Sequence, residues 1–142
     1  MTNAKGFTLI EVMIVVAIVT ILTVIGYPAY RNQVASAQRS AAKILLMELS
    51  NREAQYLSYT RQYASNFDST GLNFTTTAND MGWSCAVTSC ENNNYTVAVV
   101  VDNNDTPPTF TFTAQPKSTG MNKGEASLTI DQTGRKDRPW QK

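Results

Sequence analysis

Lys5-Gly6-Phe7-Thr8-Leu9-Ile10-Glu11, with the apolar run Val12 to Ile25 behind it, is the stretch on which the reading of the whole chain turns. From Val12 to Tyr30 no residue is charged, and Phe7 to Ile10 is apolar apart from Thr8. At about 1.5 Å per residue, a helix of roughly 20 such residues crosses a hydrocarbon core about 30 Å thick. Glu11 is the one charge between Phe7 and Tyr30. An ionised carboxylate inside a bilayer costs about 2.5 to 3.5 kcal/mol on insertion scales, so Glu11 is either used there or reaches the headgroups from its place near the end of the run. A removable secretory signal is the competing reading. Its apolar core spans about 7 to 15 residues and ends in small residues, whereas this run is longer and ends in Gly26-Tyr27-Pro28.

The 142 residues support one domain, and the span with its helical continuation leaves roughly 80 residues for a globular head. The formal net charge of +1 makes no case for nucleic acid or a membrane surface as a partner of the whole chain. Its distribution is uneven. Arg31, Arg39, Lys43, Arg52 and Arg61 make the helical part basic, no Lys or Arg lies between Gln62 and Pro116, and Asp68, Asp80, Glu91, Asp102 and Asp105 fall in that cation-free section. Either copies pack basic region to acidic region or the charge is simply solvated. Lys5 precedes the span and Arg31, Arg39 and Lys43 follow it, so the positive-inside count does not orient it.

The chain has no histidine and two cysteines, which excludes Ser-His and Cys-His nucleophiles and disfavours transition-metal sites. Asp102 and Asp105 sit in a turn rather than a catalytic pair, and no Gly-rich phosphate loop follows a strand. The expectation is a protein that is not an enzyme and holds no cofactor or metal.

Gly26 and Pro28 interrupt the helix where the apolar run ends. Pro28 has no N–H for the carbonyl of Val24, so the spacing predicts a kink or a helix exit with Tyr27, Tyr30 and Arg31 as interface anchors. Beyond it, Val34, Ala37, Ala41, Leu45, Leu49, Tyr56 and Tyr59 recur at helical spacing, opposite Arg39, Lys43, Arg52, Glu48 and Glu53. One helix is therefore expected from about Phe7 to about Tyr59. A polar connector over about 60–82 follows, tethered by Tyr63, Phe67, Leu72 and Phe74. Strand signals cover Trp83–Val87, Tyr95–Val101, Thr109–Ala114 and Ala126–Asp131, with turns at Asp102–Pro108 and Pro116–Gly124. These make an α+β fold in which the long helix covers one face of an antiparallel sheet of about four strands.

Cys85 and Cys90 either pair or remain reduced thiols. Paired, they close a loop of about six residues, worth about 2 kcal/mol in the chain-entropy model, provided that their Cα atoms approach within about 7 Å. The ending Asp131-Gln132-Thr133-Gly134-Arg135-Lys136-Asp137-Arg138-Pro139-Trp140 combines cations with an aromatic. It reads as a solvated tail, or as a DNA contact in which Arg135, Lys136 and Arg138 meet phosphates and Trp140 stacks on a base.

Gly6-Phe7-Thr8-Leu9-Ile10-Glu11, after a short leader containing Lys5 and before a Val/Ile-rich run and Tyr27-Pro28-Ala29-Tyr30, resembles the N-terminus of a type IV pilin precursor. Trp83-Ser84-Cys85, the strand pair, and Leu128-Thr129-Ile130-Asp131-Gln132-Thr133-Gly134-Arg135 resemble minor pilins of the PilE type. The resemblance implies the pilin fold and a domain plan of leader 1–6, membrane and filament-core helix 7–30, and head 31–142, with its sheet from about 83. It implies prepilin peptidase cleavage between Gly6 and Phe7, N-methylation of Phe7, and a Glu11 that meets the new amine of its own or a neighbouring subunit. Implied partners are other pilins, the peptidase and an inner-membrane assembly platform. The head would lie in the periplasm before assembly and on an extracellular filament afterwards, serving pilus assembly, twitching motility or adhesion. A type II secretion pseudopilin shares the N-terminal features. The tail also resembles the Gly-Arg-x-Arg ending of a DNA-binding minor pilin of transformation, with the second Arg one residue late. Pilins usually carry a bridge nearer the C-terminus, so Cys85 and Cys90 are expected to staple a local turn.

Overall fold

A computed structural model describes residues 6–137 and Trp140, leaving aside the side chain of Thr77. Lys5 of the expected leader and Arg138 of the ending lie outside the described residues. The chain divides into two compact units, Met1–Ser36 and Ala37–Lys142. One helix, α1 (Leu9–Thr60), contributes to both. It runs on through Gly26 and Pro28 without a helix exit, and its N-terminal part is long and apolar enough to cross a membrane. Every described residue from Gly6 to Gln33 is exposed. Thr20 and Thr23 donate their hydroxyls to the carbonyls of Val16 and Val19, both at 2.7 Å. These polar groups are thereby satisfied within the helix, as an apolar solvent demands.

In the second unit, α1 buries Ala42, Leu45, Leu46, Leu49 and Glu53. This corrects the expected face. At about 100° per residue these five positions share one stripe, whereas successive steps of four drift about 40° each around the helix. Ala37 and Tyr59 therefore point away, and Tyr59 is 86% exposed. Glu53, expected among the solvent-facing acids, lies in the stripe and is fully buried.

The connector is partly ordered as a short helix, α2 (Thr75–Asp80). Phe67, Leu72 and Phe74 are buried as expected, and Tyr63 is half-buried. Arg52 of α1 ties the connector down, donating to Glu48 at 3.0 Å and to the Asn73 carbonyl at 3.2 Å while its guanidinium covers the Phe74 ring at 4.8 Å.

Among the described residues, the sheet has five antiparallel strands in sequence order: β1 (Ser84–Cys85), β2 (Ser89–Glu91), β3 (Tyr95–Asp102), β4 (Thr109–Pro116) and β5 (Leu128–Asp131). The extra strand arises because only Ser84–Cys85 of the predicted Trp83–Val87 strand is extended, and the chain turns back beyond it to pair Ser89–Glu91 as the hairpin β1–β2. Strand alternation places Tyr95, Val97, Phe110, Phe112, Ala114, Leu128 and Ile130 in the core with the α1 stripe. Phe110 packs edge-on against Tyr63 at 4.7 Å and against Phe112 at 5.2 Å. The opposite face of β4 carries Thr109, Thr111, Thr113 and Gln115, which are exposed or half-buried.

Candidate functional site

The first candidate site is the start of α1. Phe7 is 88% exposed, and Thr8 is the residue immediately before the helix. Thr8 donates to Glu11 Oε2 twice, from its backbone N–H at 2.9 Å and its hydroxyl at 2.8 Å, and the Glu11 N–H donates back to the Thr8 hydroxyl at 3.3 Å. This is a capping box: a Thr before the helix and a Glu at its third position satisfy each other's orphan donors, with the carboxylate at the positive end of the helix dipole. The spacing Thr8-x-x-Glu11 is the signal for it, and the sequence reading passed over it by treating Glu11 as a lone charge. Gly6 and Phe7 stand beside this cap, so the cap positions a carboxylate within one turn of the peptide bond singled out for cleavage. Further along α1, nothing approaches Gly26, and Arg31 lies over the Tyr27 ring at 5.9 Å.

The second candidate site is the ending. After β5 the chain reverses around Asp131, whose Oδ1 accepts from the Thr133 N–H at 2.9 Å, the Thr133 hydroxyl at 2.6 Å and the Arg135 N–H at 3.0 Å. Gly134 takes a φ of +73° there, a conformation that suits glycine. Partial burial raises the Asp131 pKa, but the hydrogen bonds from Thr133 and Arg135 outweigh it and leave the carboxyl below its ordinary value. The returning chain forms a bridge between Ile130 and Lys136, which covers part of the edge of β5.

Trp140 then packs against the hydrophobic core, its carbonyl accepts from Lys43 Nζ of α1 at 2.8 Å, and Lys136 Nζ lies 4.9 Å above its ring. The ending is thus fastened to the head rather than a tail in solvent. Arg135 and Lys136 are exposed, whereas a ring face of Trp140 is covered. Thr111, Thr129, Asp131, Arg135, Lys136 and Asp137 line a groove on this side.

The cysteines do pair. Cys85 and Cys90 face each other across β1–β2 with Cα atoms 4.0 Å apart. The neighbouring Ala86 N–H donates to the Ser89 carbonyl at 2.8 Å, which leaves the cysteine pair at the closer-spaced, non-hydrogen-bonded position of the ladder. Cys90 is buried and the bridge closes a local turn.

Sequence reasoning missed two further groups. Lys43 anchors the ending through a backbone carbonyl, which no spacing announces. Glu125 joins Arg39 of α1 to the Tyr95 hydroxyl at 3.3 Å and the Asn122 amide at 3.0 Å, a contact between distant parts of the chain.

Comparison with known proteins gives two family matches. Residues 1–27 match the prokaryotic N-terminal methylation motif, and residues 28–127 match the family described as type IV minor pilin ComP, DNA uptake sequence receptor. The ending from β5 onward lies beyond the second match. The chain is 34% identical over 126 residues to the fimbrial protein EcpC of Eikenella corrodens, covering 89% of this chain and 71% of that one. It is 42% identical over 71 residues to a fimbrial protein of Neisseria meningitidis serogroup A, covering 50% of this chain and 42% of the relative. With the type IV major pilin protein PilE of Neisseria gonorrhoeae it shares 60% identity over 47 residues, 33% of this chain and 28% of that one. The chain thus spans less than half the length of these Neisseria relatives.

Proposed function

We infer the function from family membership: this chain belongs to the type IV pilins, in the family described as type IV minor pilin ComP, DNA uptake sequence receptor. It is a minor pilin, a structural subunit of a type IV pilus rather than an enzyme. The observation that carries this reading is the continuity of the methylation motif, through an apolar helix, with a head that matches a minor pilin.

Prepilin peptidase cleaves between Gly6 and Phe7, and Phe7 is N-methylated. Before assembly the subunit spans the inner membrane once, leader in the cytoplasm and head in the periplasm, with residues 7–30 as the span and 31–142 as the head. During assembly at the inner-membrane platform, Glu11 pairs with the amine of Phe7 on a neighbouring subunit. A charge pair in lipid is tolerable where a lone charge is not. Gly26 and Pro28 form the point at which the helix yields as subunits pack into the extracellular filament. Its partners there are the major and other minor pilins, and the filament serves twitching motility or adhesion. Intact-mass measurement of the filament fraction tests this: a chain beginning at methylated Phe7 is expected, and one still beginning at Met1 overturns it. A type II secretion pseudopilin predicts instead that deletion leaves pili intact and strands exoproteins in the periplasm.

A second reading, DNA capture during uptake, is favoured by the family match over residues 28–127. Because that match ends before the tail, the DNA surface would belong to the body of the head, with Arg135, Lys136 and Arg138 as added phosphate contacts. Salt-sensitive binding of the head to duplex DNA tests it. Binding unchanged by Arg135→Ala and Lys136→Ala removes the tail from the surface, and no binding removes the reading.

A further inference from the structure

Among the described residues, Glu53 is the carboxyl that the head buries fully. Its Oε2 accepts one hydrogen bond, from the Ala64 N–H at 2.9 Å, and its Oε1 is buried with no partner. No cation pairs with it among the described residues. Arg52, adjacent on α1, is turned to Glu48, Asn73 and the Phe74 ring. From the connector the titratable group that faces Glu53 is the Tyr63 hydroxyl, whose pKa is raised first by burial and then by the Glu53 charge. From the β3–β4 turn the neutral Asn103 clasps Tyr63 by two bonds, Tyr63 N–H to Oδ1 at 2.9 Å and Nδ2 to the Tyr63 carbonyl at 3.0 Å.

Residues 63 and 64, where the connector leaves α1, are therefore fastened on one side by Asn103 and on the other by Glu53. The two fastenings differ in kind. The Asn103 clasp is exposed and indifferent to pH. The Glu53 bond sits in a site that accepts a neutral carboxyl and penalises a charged one, since a buried carboxylate with one donor is poorly solvated.

We propose that Glu53 is a proton-operated latch: its neutral carboxyl keeps the start of the connector, residues 61–65, docked on α1, and ionisation releases it, while Phe67, Leu72 and Phe74 stay in the core. Burial pushes the Glu53 pKa up to about 7, with the Ala64 bond opposing, from an ordinary value of 4.5. The sign follows. Docking is strongest below the ordinary value and weakens as pH rises through the docked value, because the released state gives up its proton first. Between the two values the released fraction rises by up to about tenfold per pH unit, and above about 7 it levels off. The latch itself does not depend on the pilin reading; under that reading, it makes the surface that the head presents beside α1 sensitive to external pH.

The test is hydrogen exchange of the full chain in detergent, followed by mass spectrometry from pH 5 to 8.5 and corrected for intrinsic exchange. Amides of residues 61–65 are expected to open about a hundredfold more at pH 8 than at pH 5, while those of 67–74, held by the core and by Arg52, and of β4, which report the fold, keep their protection. Glu53→Gln, which retains an acceptor for Ala64, removes the slope. Asn103→Ala raises opening at every pH and keeps the slope. A native chain without the slope, a Glu53→Gln chain that retains it, or an Asn103→Ala chain that loses it overturns the proposal.

Discussion

The Thr8 hydroxyl donates to Glu11 Oε2 at 2.8 Å, so the charge in the apolar span is already held by its own helix cap. Cleavage after Gly6, as proposed, would create an amine at Phe7, one residue from that cap. Glu11→Ala is expected to leave leader removal intact and to deplete the chain from sheared filaments relative to the membrane fraction. Thr8→Val retains the carboxylate and should give a smaller depletion. Immunoblots of the two fractions check both, and undiminished incorporation of Glu11→Ala would withdraw its assembly role.

The Cys85–Cys90 bridge closes a short turn whose second cysteine is buried. Replacing both cysteines with serine should lower the unfolding free energy of the head by about 2 kcal/mol. Urea unfolding reports it as a lower midpoint. Because Lys43 and Trp140 lie elsewhere, the contact between α1 and the ending should persist in this variant.

Trp140 is fastened by Lys43 and packed on the core. Trp140→Ala should therefore destabilise the head by about 1 to 2 kcal/mol, the lower part of the range for a large apolar side chain because the ring is half-buried. Lys43→Ala, which removes one hydrogen bond, should cost about 1 kcal/mol. Urea midpoints separate this from a DNA-stacking role, in which Trp140→Ala would weaken DNA binding and leave stability unchanged.

Tyr95 is buried, and that burial, reinforced by the Glu125 carboxylate against the opposing Arg39, pushes its pKa up to about 12. The folded value lies above the ordinary value of 10.0, so the stability it contributes is complete below pH 10 and is lost as pH rises towards 12. The native head should lose thermal stability over that window more steeply than Tyr95→Phe does. Melting curves monitored by circular dichroism check the slope, and equal slopes would show that Tyr95 does not control the alkaline limit.

Much of this was legible in the chain. The apolar run, the helix that follows it, and the alternation at Phe110 and Phe112 and at Leu128 and Ile130 depend on local periodicity, which a sequence displays directly. The capping box was legible too, in Thr8-x-x-Glu11, but a charge inside an apolar run drew attention to the membrane and away from the helix end. The buried stripe of α1 was misjudged because steps of four approximate a turn and drift. The β1–β2 hairpin escaped because strands of two and three residues carry almost no alternation.

The apolar run, the extent of the long helix, the longer strands of the sheet and the resemblance that led to the family each rest on residues near one another in the chain, so they are readable before folding. Tertiary structure alone decided the burial of Glu53 against Ala64, the clasp of Tyr63 by Asn103, the anchoring of Trp140 by Lys43 and the Arg39–Glu125–Tyr95 contact. These join residues 11 to 97 positions apart. Their chemistry follows from which polar groups the packed core leaves without water, and that is set only when helix and sheet have come together.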